Sequence, residues 1–527
     1  MGETSNHRLA SPSSSRETSP NRSSEQHFVH PYKTLYKRRY IKRTNWKREP
    51  KRLTFPCQAN NVVTCLQFDK SKIVSASDDH AIHVFNTSNG QLTATLEGHE
   101  GGVWALQYIG NILVSGSTDR TVRIWDLDTA KCTHAFVGHT STVRCLQIVK
   151  PVNVNQDPAG PPIWEPPCPL IVTGSRDWTL RVWKLPAPGR DSDYLPNVPM
   201  SPTEENVDPG NNPYHLRLLE GHRHAVRALA AHGRILVSGS YDNTVRVWDI
   251  MTGLCVHKLV GHIQKVYSVV YDAARNQCAS GSMDGNVRLW STTSGQCLAT
   301  LEGHTSLVGL LGLSWRHLIS AAADSTLRIW DPETGEFRYT LAAHTGAITC
   351  FQHDDDKIVS GSDGTLKMWD AHTGKFEQDL LTGLMGVWQV GFDDRFCVAA
   401  VQRAGQSEFD VLDYGMIDDE EGIESDEQTY ETVHDHHTDR LPLLVPGGSS
   451  PFRAGPNFPA TEHRTNTIRR MPSSRSLAQH HALSASIHDD ISQESPTRRR
   501  HSHTPALLVP DNDNSAQESD EEMQILN

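Results

Sequence analysis

Four arginines, Arg120, Arg144, Arg176 and Arg227, carry the most distinctive chemistry in this 527-residue chain. A guanidinium group is permanently charged, and its planar fork of N–H donors fits an oxyanion bidentately, each charge-assisted hydrogen bond contributing about 1.5–3 kcal/mol. Aromatic residues accompany them: Trp104, Tyr241 and Tyr267, with Lys265 two residues before the last. Such rings can hold a proline or an aliphatic side chain beside an anion. Gathered at one place, these residues form a local anion site with an apolar wall. Scattered, each arginine would only brace its own turn, so the elements that carry them decide the matter.

Those elements repeat. Histidines preceded by Gly or Ala fall at His99, His139, His222, His262, His304 and His344, with intervals of 40 to 42 residues. That period is the length of a four-stranded propeller blade. The one exception is the 83-residue interval from His139 to His222, which is two repeats long and holds two Pro-rich insertions, Lys150 to Pro169 and Leu185 to Pro213, expected as surface loops. Each unit then offers a strand, a Ser-x-Asp turn and a strand ending in Trp, as in SGSTDRTVRIWD, TGSRDWTLRVWK and SGSYDNTVRVWD. Alternating β-branched and polar residues between Gly and Asp turns read as short antiparallel strands.

The pattern predicts an all-β, eight-bladed WD-repeat β-propeller over residues 52–415. Its units are a first blade from Val62 to Asn86, six clear repeats ending at Trp125, Trp183, Trp248, Trp290, Trp330 and Trp369, and a divergent last unit. Seven blades result if that last unit is malformed. The segment from Arg52 to Phe55 is expected to supply the outer strand of the last blade and so remove exposed sheet edges.

Histidine, aspartate and serine in every repeat could suggest hydrolytic catalysis. A set that recurs in almost every blade is instead expected to be structural: His139, Asp177, Thr173 and Trp183 suit one buried hydrogen-bonded chain, in which the carboxylate is tolerable because it is satisfied. No nucleophile elbow, phosphate loop or metal-ligand spacing is present, so no catalytic residue, metal or cofactor is expected. The ten cysteines include no CxxC, and most fall at repeat positions, Cys65, Cys145 and Cys350 in one and Cys132, Cys255 and Cys297 in another. They read as reduced core residues.

The flanks differ from the repeats. Residues 1–27 are rich in Ser, Pro, Thr and Asn and 416–527 are polar, with ten acidic residues and no Lys or Arg between Asp418 and Asp439, so both are expected to be disordered. Between Phe28 and Arg52 aromatics alternate with Lys and Arg; the run KRRYIKR reads either as a nuclear import signal or as a solvated helix face. The formal charge of -12 argues against a general nucleic-acid binder, and no run of 18 apolar residues or secretory leader argues for a membrane. Any anion site must be local.

In a four-stranded blade, the loop leading into the inner strand and the turn between the second and third strands share one end. One position at the start of the inner strand varies freely: Thr64, Trp104, Arg144, Arg227, Tyr267, Gly309, Thr349 and Trp388. The turn adds Thr118, Arg176, Tyr241 and Met283, with Arg120 and Trp178 just after the aspartate. Blades 2 to 5 therefore place the four arginines on one quadrant of a channel mouth.

The run from HPYKTLYKRRYIKRTNWKRE through GGVWALQ, GHTSTVRCLQI, TGSRDWTLRVWKLP and GHTSLVGLL to VAAVQRAGQSEFDVLDYG resembles the cell-division-control type of F-box/WD-repeat protein, over about residues 28–415. The resemblance implies a substrate receptor of SCF ubiquitin ligases, whose propeller captures proteins phosphorylated at Ser/Thr-Pro segments, in nucleus and cytoplasm. It assigns phosphate contacts to Arg120, Arg144 and Arg176, a cationic rim to Arg227, and pocket walls to Trp104, Thr118, Thr142, Tyr241, Tyr267 and Trp388. Arg403 matches a further contact in part of the family, while Lys265 stands where the pattern can carry arginine. The ligase adaptor and cullin would be partners only through an F-box, which should precede residues 28–52, where only 27 polar residues stand. Two rival readings remain: a generic WD-repeat scaffold that binds unmodified partners, and tails in which Ser19, Ser201, Ser495 and Thr504, each before proline, are regulatory phosphorylation sites.

Overall fold

The computed structural model describes Gly2 and residues 31–415, except 59–61, 156–159, 188 and 197–211. Eight four-stranded antiparallel sheets follow one another as blades around a ring, with the inner strand of each blade beside that of the next. Blade 1 runs from Val63–Phe68 to Leu92–Leu96, one strand further than the sequence pattern indicated. The divergent last unit does form a blade, and Lys51–Gln58 completes it as the outer strand on Gln406–Asp413, pairing Arg52 with Leu412 and Phe55 with Phe409. Phe55, Phe85 and Phe409 then meet with ring centroids 5.3–5.6 Å apart. Both ends of the ring are thereby sewn into one sheet, which closes the ring. The expected disordered ends, 1–27 and 416–527, lie outside the described residues.

The strands bury Val, Ile and Leu between neighbouring blades, and inside the blades a polar chain replaces apolar packing. In blade 3 the Trp183 indole donates to Thr173 Oγ1 (3.0 Å), that hydroxyl meets His139 Nε2 (2.8 Å), and His139 Nδ1 meets Asp177 Oδ2 (2.8 Å). The same chain recurs through Trp125, Ser115, His99 and Asp119, and through Trp248, Ser238, His222 and Asp242. Blades 5 and 6 repeat it with His262 and Asp284, and with His304 and Asp324. Burial alone would raise the Asp119 carboxyl, but hydrogen bonds from His99 and Thr121 outweigh it and hold the group at about 2. Buried and fully answered, these charges specify the blade interior.

Blade 7 departs from the set. Its turn, SGSDGT, is one residue shorter, so Trp369 lies nine rather than ten residues after Ser360. His344 keeps Ser360 (2.8 Å) and, as in blades 2, 3, 4 and 6, a threonine on Nδ1 (Thr365, 3.3 Å), but it bonds no carboxylate among the described residues. Burial and the nearby Lys367 charge push this imidazole down to about 4.

The two insertions are more structured than loops. The first forms a short hairpin, Val152–Asn153 with Trp164–Glu165, and Glu165 lies 3.5 Å from Arg234 of blade 4. The second returns along the outer edge of blade 2, where Tyr194 exchanges backbone hydrogen bonds with Thr133 and Ala135 (2.9 and 2.8 Å) and covers that edge. All ten cysteines are thiols, but Cys255 and Cys297 are exposed at the start of outer strands rather than in the core.

Candidate functional site

A β-bulge explains the variable position at the channel mouth. In blade 3, Val143 pairs with Ser175 and Cys145 with Gly174, so Arg144 is the extra residue that the ladder skips. The same skip falls on Thr64, Trp104, Arg227, Tyr267, Gly309 and Trp388. A bulge turns its side chain out of the alternating pattern of the strand. The residues so freed reach neighbouring blades: Arg144 lies over the Trp104 ring of blade 2 at 4.0 Å, and Arg227 over Tyr267 of blade 5 at 6.0 Å. At the matching place in blade 7, where the described ladder shows no skip, the Thr349 hydroxyl donates to the Val387 carbonyl of blade 8.

Backbone bonds fix the Ser-x-Asp turns against the loops leading into the inner strands. The N–H of Arg176 donates to Thr142 O (2.9 Å), that of Thr118 to Gly102 O (2.9 Å), that of Tyr241 to Ala225 O (3.0 Å) and that of Met283 to Lys265 O (2.9 Å). Turn and loop thus share one end in blades 2 to 5, which carries Arg120, Arg144, Arg176, Arg227 and Lys265 to the same rim. The Tyr241 ring packs on Tyr267 (5.0 Å) and lies under Lys265 Nζ (4.9 Å). Two donors, the Tyr241 hydroxyl and the Trp388 indole N–H, are buried without a partner among the described residues. At the same turn position, blades 1 and 7 carry Asp78 and Asp363, whose carboxyls burial pushes up. The rim is therefore polarised, cationic over blades 2 to 5 and acidic over 7 and 1.

The residue after the turn aspartate adopts a left-handed backbone, with φ of 71° at Arg120 and 74° at Trp178. Asn243 and Gly285 occupy the same place in blades 4 and 5, where such a conformation is cheap. For Arg and Trp it costs about 1–2 kcal/mol, which is tolerated where the side chain is useful. Trp178, which the sequence places just after the turn aspartate without a role in the pocket, is exposed to 52 %. Its left-handed place after the turn aspartate, directly beside Arg176, is the signal that points to it.

Six segments, 90–126, 130–184, 214–249, 253–291, 295–331 and 335–370, match the model of the WD domain, G-beta repeat. Over 392 residues the chain is 48% identical to cell division control protein 4 of Candida albicans, covering 72% of this chain and 56% of that one. The chain belongs to the WD-repeat family, and its propeller is of the cell-division-control type. WD repeat-containing protein pop2 of Schizosaccharomyces pombe is 43% identical over 385 residues, covering 72% of this chain and 54% of that one. The chain spans about half the length of these curated relatives. Among solved structures, the computationally designed Ika8 protein superposes with a TM-score of 0.54 at 29% identity, over 68% of this chain and 98% of that one.

Within this WD-repeat propeller the remaining site residues divide. Arg120 makes no ion pair among the described residues and Thr118 is exposed beside it, while Thr142 is half-buried beneath Arg176. Arg403 is differently placed. It donates to Glu408 (2.9 Å) and to the fully buried Asp410, which also takes two hydrogen bonds from Arg52 of the closing strand (2.9 and 3.0 Å). Its charge is matched inside blade 8, where it helps to lock the ring. The structure brings together the blade 2–5 residues; Trp388, in blade 8, lies on the opposite side of blade 1 from them.

Proposed function

We propose that this propeller is a phosphodegron-binding, non-catalytic substrate receptor that directs phosphorylated proteins to SCF-type ubiquitination and degradation. The observation that carries the reading is the set of arginines carried by bulges and turns to one rim, two of them, Arg144 and Arg227, laid against aromatic rings. A phosphoryl group adds about -1.5 to -2 charge and three acceptor oxygens, and Arg120, Arg144 and Arg176 supply bidentate donors for them, with Arg227 and Lys265 as the outer cationic border. Trp104, Tyr241 and Tyr267 form the wall for the proline and its neighbours. The likeness to a cell division control protein supports a regulated substrate. Docking to the ligase adaptor and cullin would run through an F-box, and the receptor would act in nucleus and cytoplasm.

Calorimetry on the full chain with a Ser-Pro peptide, phosphorylated and not, tests this. Binding is expected only with phosphate, and Arg144→Ala is expected to lose about 2–3 kcal/mol, about 30- to 150-fold in affinity. Equal affinity for the two peptides would overturn the proposal.

A further inference from the structure

The helix that precedes the propeller, α1 (Pro31–Asn45), contains Lys33, Lys37, Arg38, Arg39, Lys42 and Arg43 and no acidic residue. Like charges lie four residues apart at Lys33 and Lys37, Arg38 and Lys42, and Arg39 and Arg43, an arrangement that disfavours a helix unless anions answer it. Among the described residues, the propeller's carboxylates meet the C-terminal half. Lys42 pairs with Asp354 (3.3 Å) and Asp394 (2.5 Å), Arg43 with Asp370 (3.2 Å), and Lys47 just beyond with Glu377 (3.7 Å). Towards the N-terminus Lys33, Lys37 and Arg39 are exposed and have no carboxylate among the described residues. Tyr36 and Tyr40 are exposed on the same stretch, 72 % and 62 %, their rings 6.4 Å apart.

The chain leaves the propeller beside this helix. Trp46, one residue after α1, is buried against Tyr414 with ring centroids 4.2 Å apart. Four residues after Tyr414 begins the stretch from Asp418 to Asp439, with ten acidic residues and no Lys or Arg. At about 3.3 Å per extended residue this stretch can reach tens of ångströms, whereas a 15-residue helix is only about 22 Å long. Tethered so close, it sits at an effective concentration of about millimolar. We infer that the acidic segment 418–439 docks in cis on the exposed cationic half of α1 and shields it from other polyanions. Charge complementarity, the point of exit and the length of the tether all favour this occupant.

Limited trypsin digestion of the full chain tests the contact, with cleavage after Lys33, Lys37 and Arg39 followed by mass spectrometry. The comparison is a variant whose ten acidic residues between 418 and 439 are changed to Asn or Gln. Cleavage in the variant is expected to rise about 5- to 10-fold at 50 mM salt, and the two proteins are expected to converge at 0.5 M salt as the charges are screened. Heparin is expected to retain the variant more strongly than the parent. Thermal unfolding of the propeller at the same temperature in both proteins keeps the comparison clean. Equal cleavage and equal heparin retention would overturn the inference. Protection that grows with protein concentration would also overturn it, because a second copy would then supply the segment.

Discussion

Asp242 in the fourth blade and Arg144 in the third are both charged side chains held in fixed places, and they are held by opposite means. Asp242 accepts from His222 (3.0 Å), from the backbone N–H groups of Arg223 and Thr244 (2.9 and 3.0 Å) and from the Thr244 hydroxyl (2.6 Å). Its charge is consumed by the fold. Arg144 lies over Trp104 at 4.0 Å, a contact that orients a guanidinium by the ring quadrupole. The interior network repeats in blades 2 to 6 with only Thr173 for serine in blade 3, whereas the bulged position changes from Thr to Trp to Arg to Tyr. Constancy marks what builds each blade, and variation at an aimed position marks what faces a partner.

Breaking the interior side is expected to give the largest effect. Asp242→Ala leaves buried His222 and the part-buried Thr244 N–H without their acceptor, and is expected to cost about 3 kcal/mol of stability, since each buried orphaned donor costs about 1–3 kcal/mol. Urea unfolding checks this, while phosphopeptide affinity should stay within about twofold. An affinity loss matching that of Arg144→Ala would erase the distinction between the two regions.

The blade that lacks the carboxylate sharpens the same contrast through pH. Burial holds His344 at about 4 in the folded chain against an ordinary value of 6.5. A depressed folded value means that the unfolded chain binds the proton first, so this stability is intact above pH 6.5 and is lost as pH falls towards 4. One pKa unit corresponds to about 1.36 kcal/mol, so the loss approaches about 3 kcal/mol. His215 and His353, also held at about 4, act in the same window. Asp119, held at about 2, loses its contribution only below about 3.8. Stability measured against pH should therefore fall in two steps, and His344→Gln should shrink the first alone. An unchanged first step would show that His344 titrates normally.

Much of this was legible in the sequence because it is periodic. The eight blades, the closing strand at Arg52 to Phe55 and the His139–Asp177–Thr173–Trp183 chain all follow from spacing, as does the common rim of turn and loop. What escaped depends on single, non-repeating contacts. The role of Arg403 required knowing that Asp410 is wholly buried and shared with Arg52, residues more than 350 positions apart in sequence. The edge contact at Tyr194 required knowing that a Pro-rich insertion of blade 3 returns to blade 2. The shortened turn of blade 7 was visible as SGSDGT, yet its consequence, a histidine without its carboxylate, appears only when Asp363 is seen to sit at the rim position instead.

The smallest expected effect is the one that separates position from charge at the rim. Trp104→Ala keeps every arginine but removes the face on which Arg144 rests, so the anion site retains its charge and loses some of its order. Cation–π contacts at such partly exposed sites are worth about 0.5–1 kcal/mol, and about 1 kcal/mol is roughly fivefold in affinity. Phosphopeptide binding should therefore weaken about two- to fivefold, with its salt dependence unchanged because the number of cations is the same. Trp104→Phe, which keeps a smaller face, should fall between the parent and the alanine variant. A loss from Trp104→Ala as large as that from Arg144→Ala would mean that the ring itself contacts the peptide as a principal anchor, and that the rim works by apolar capture more than by charge.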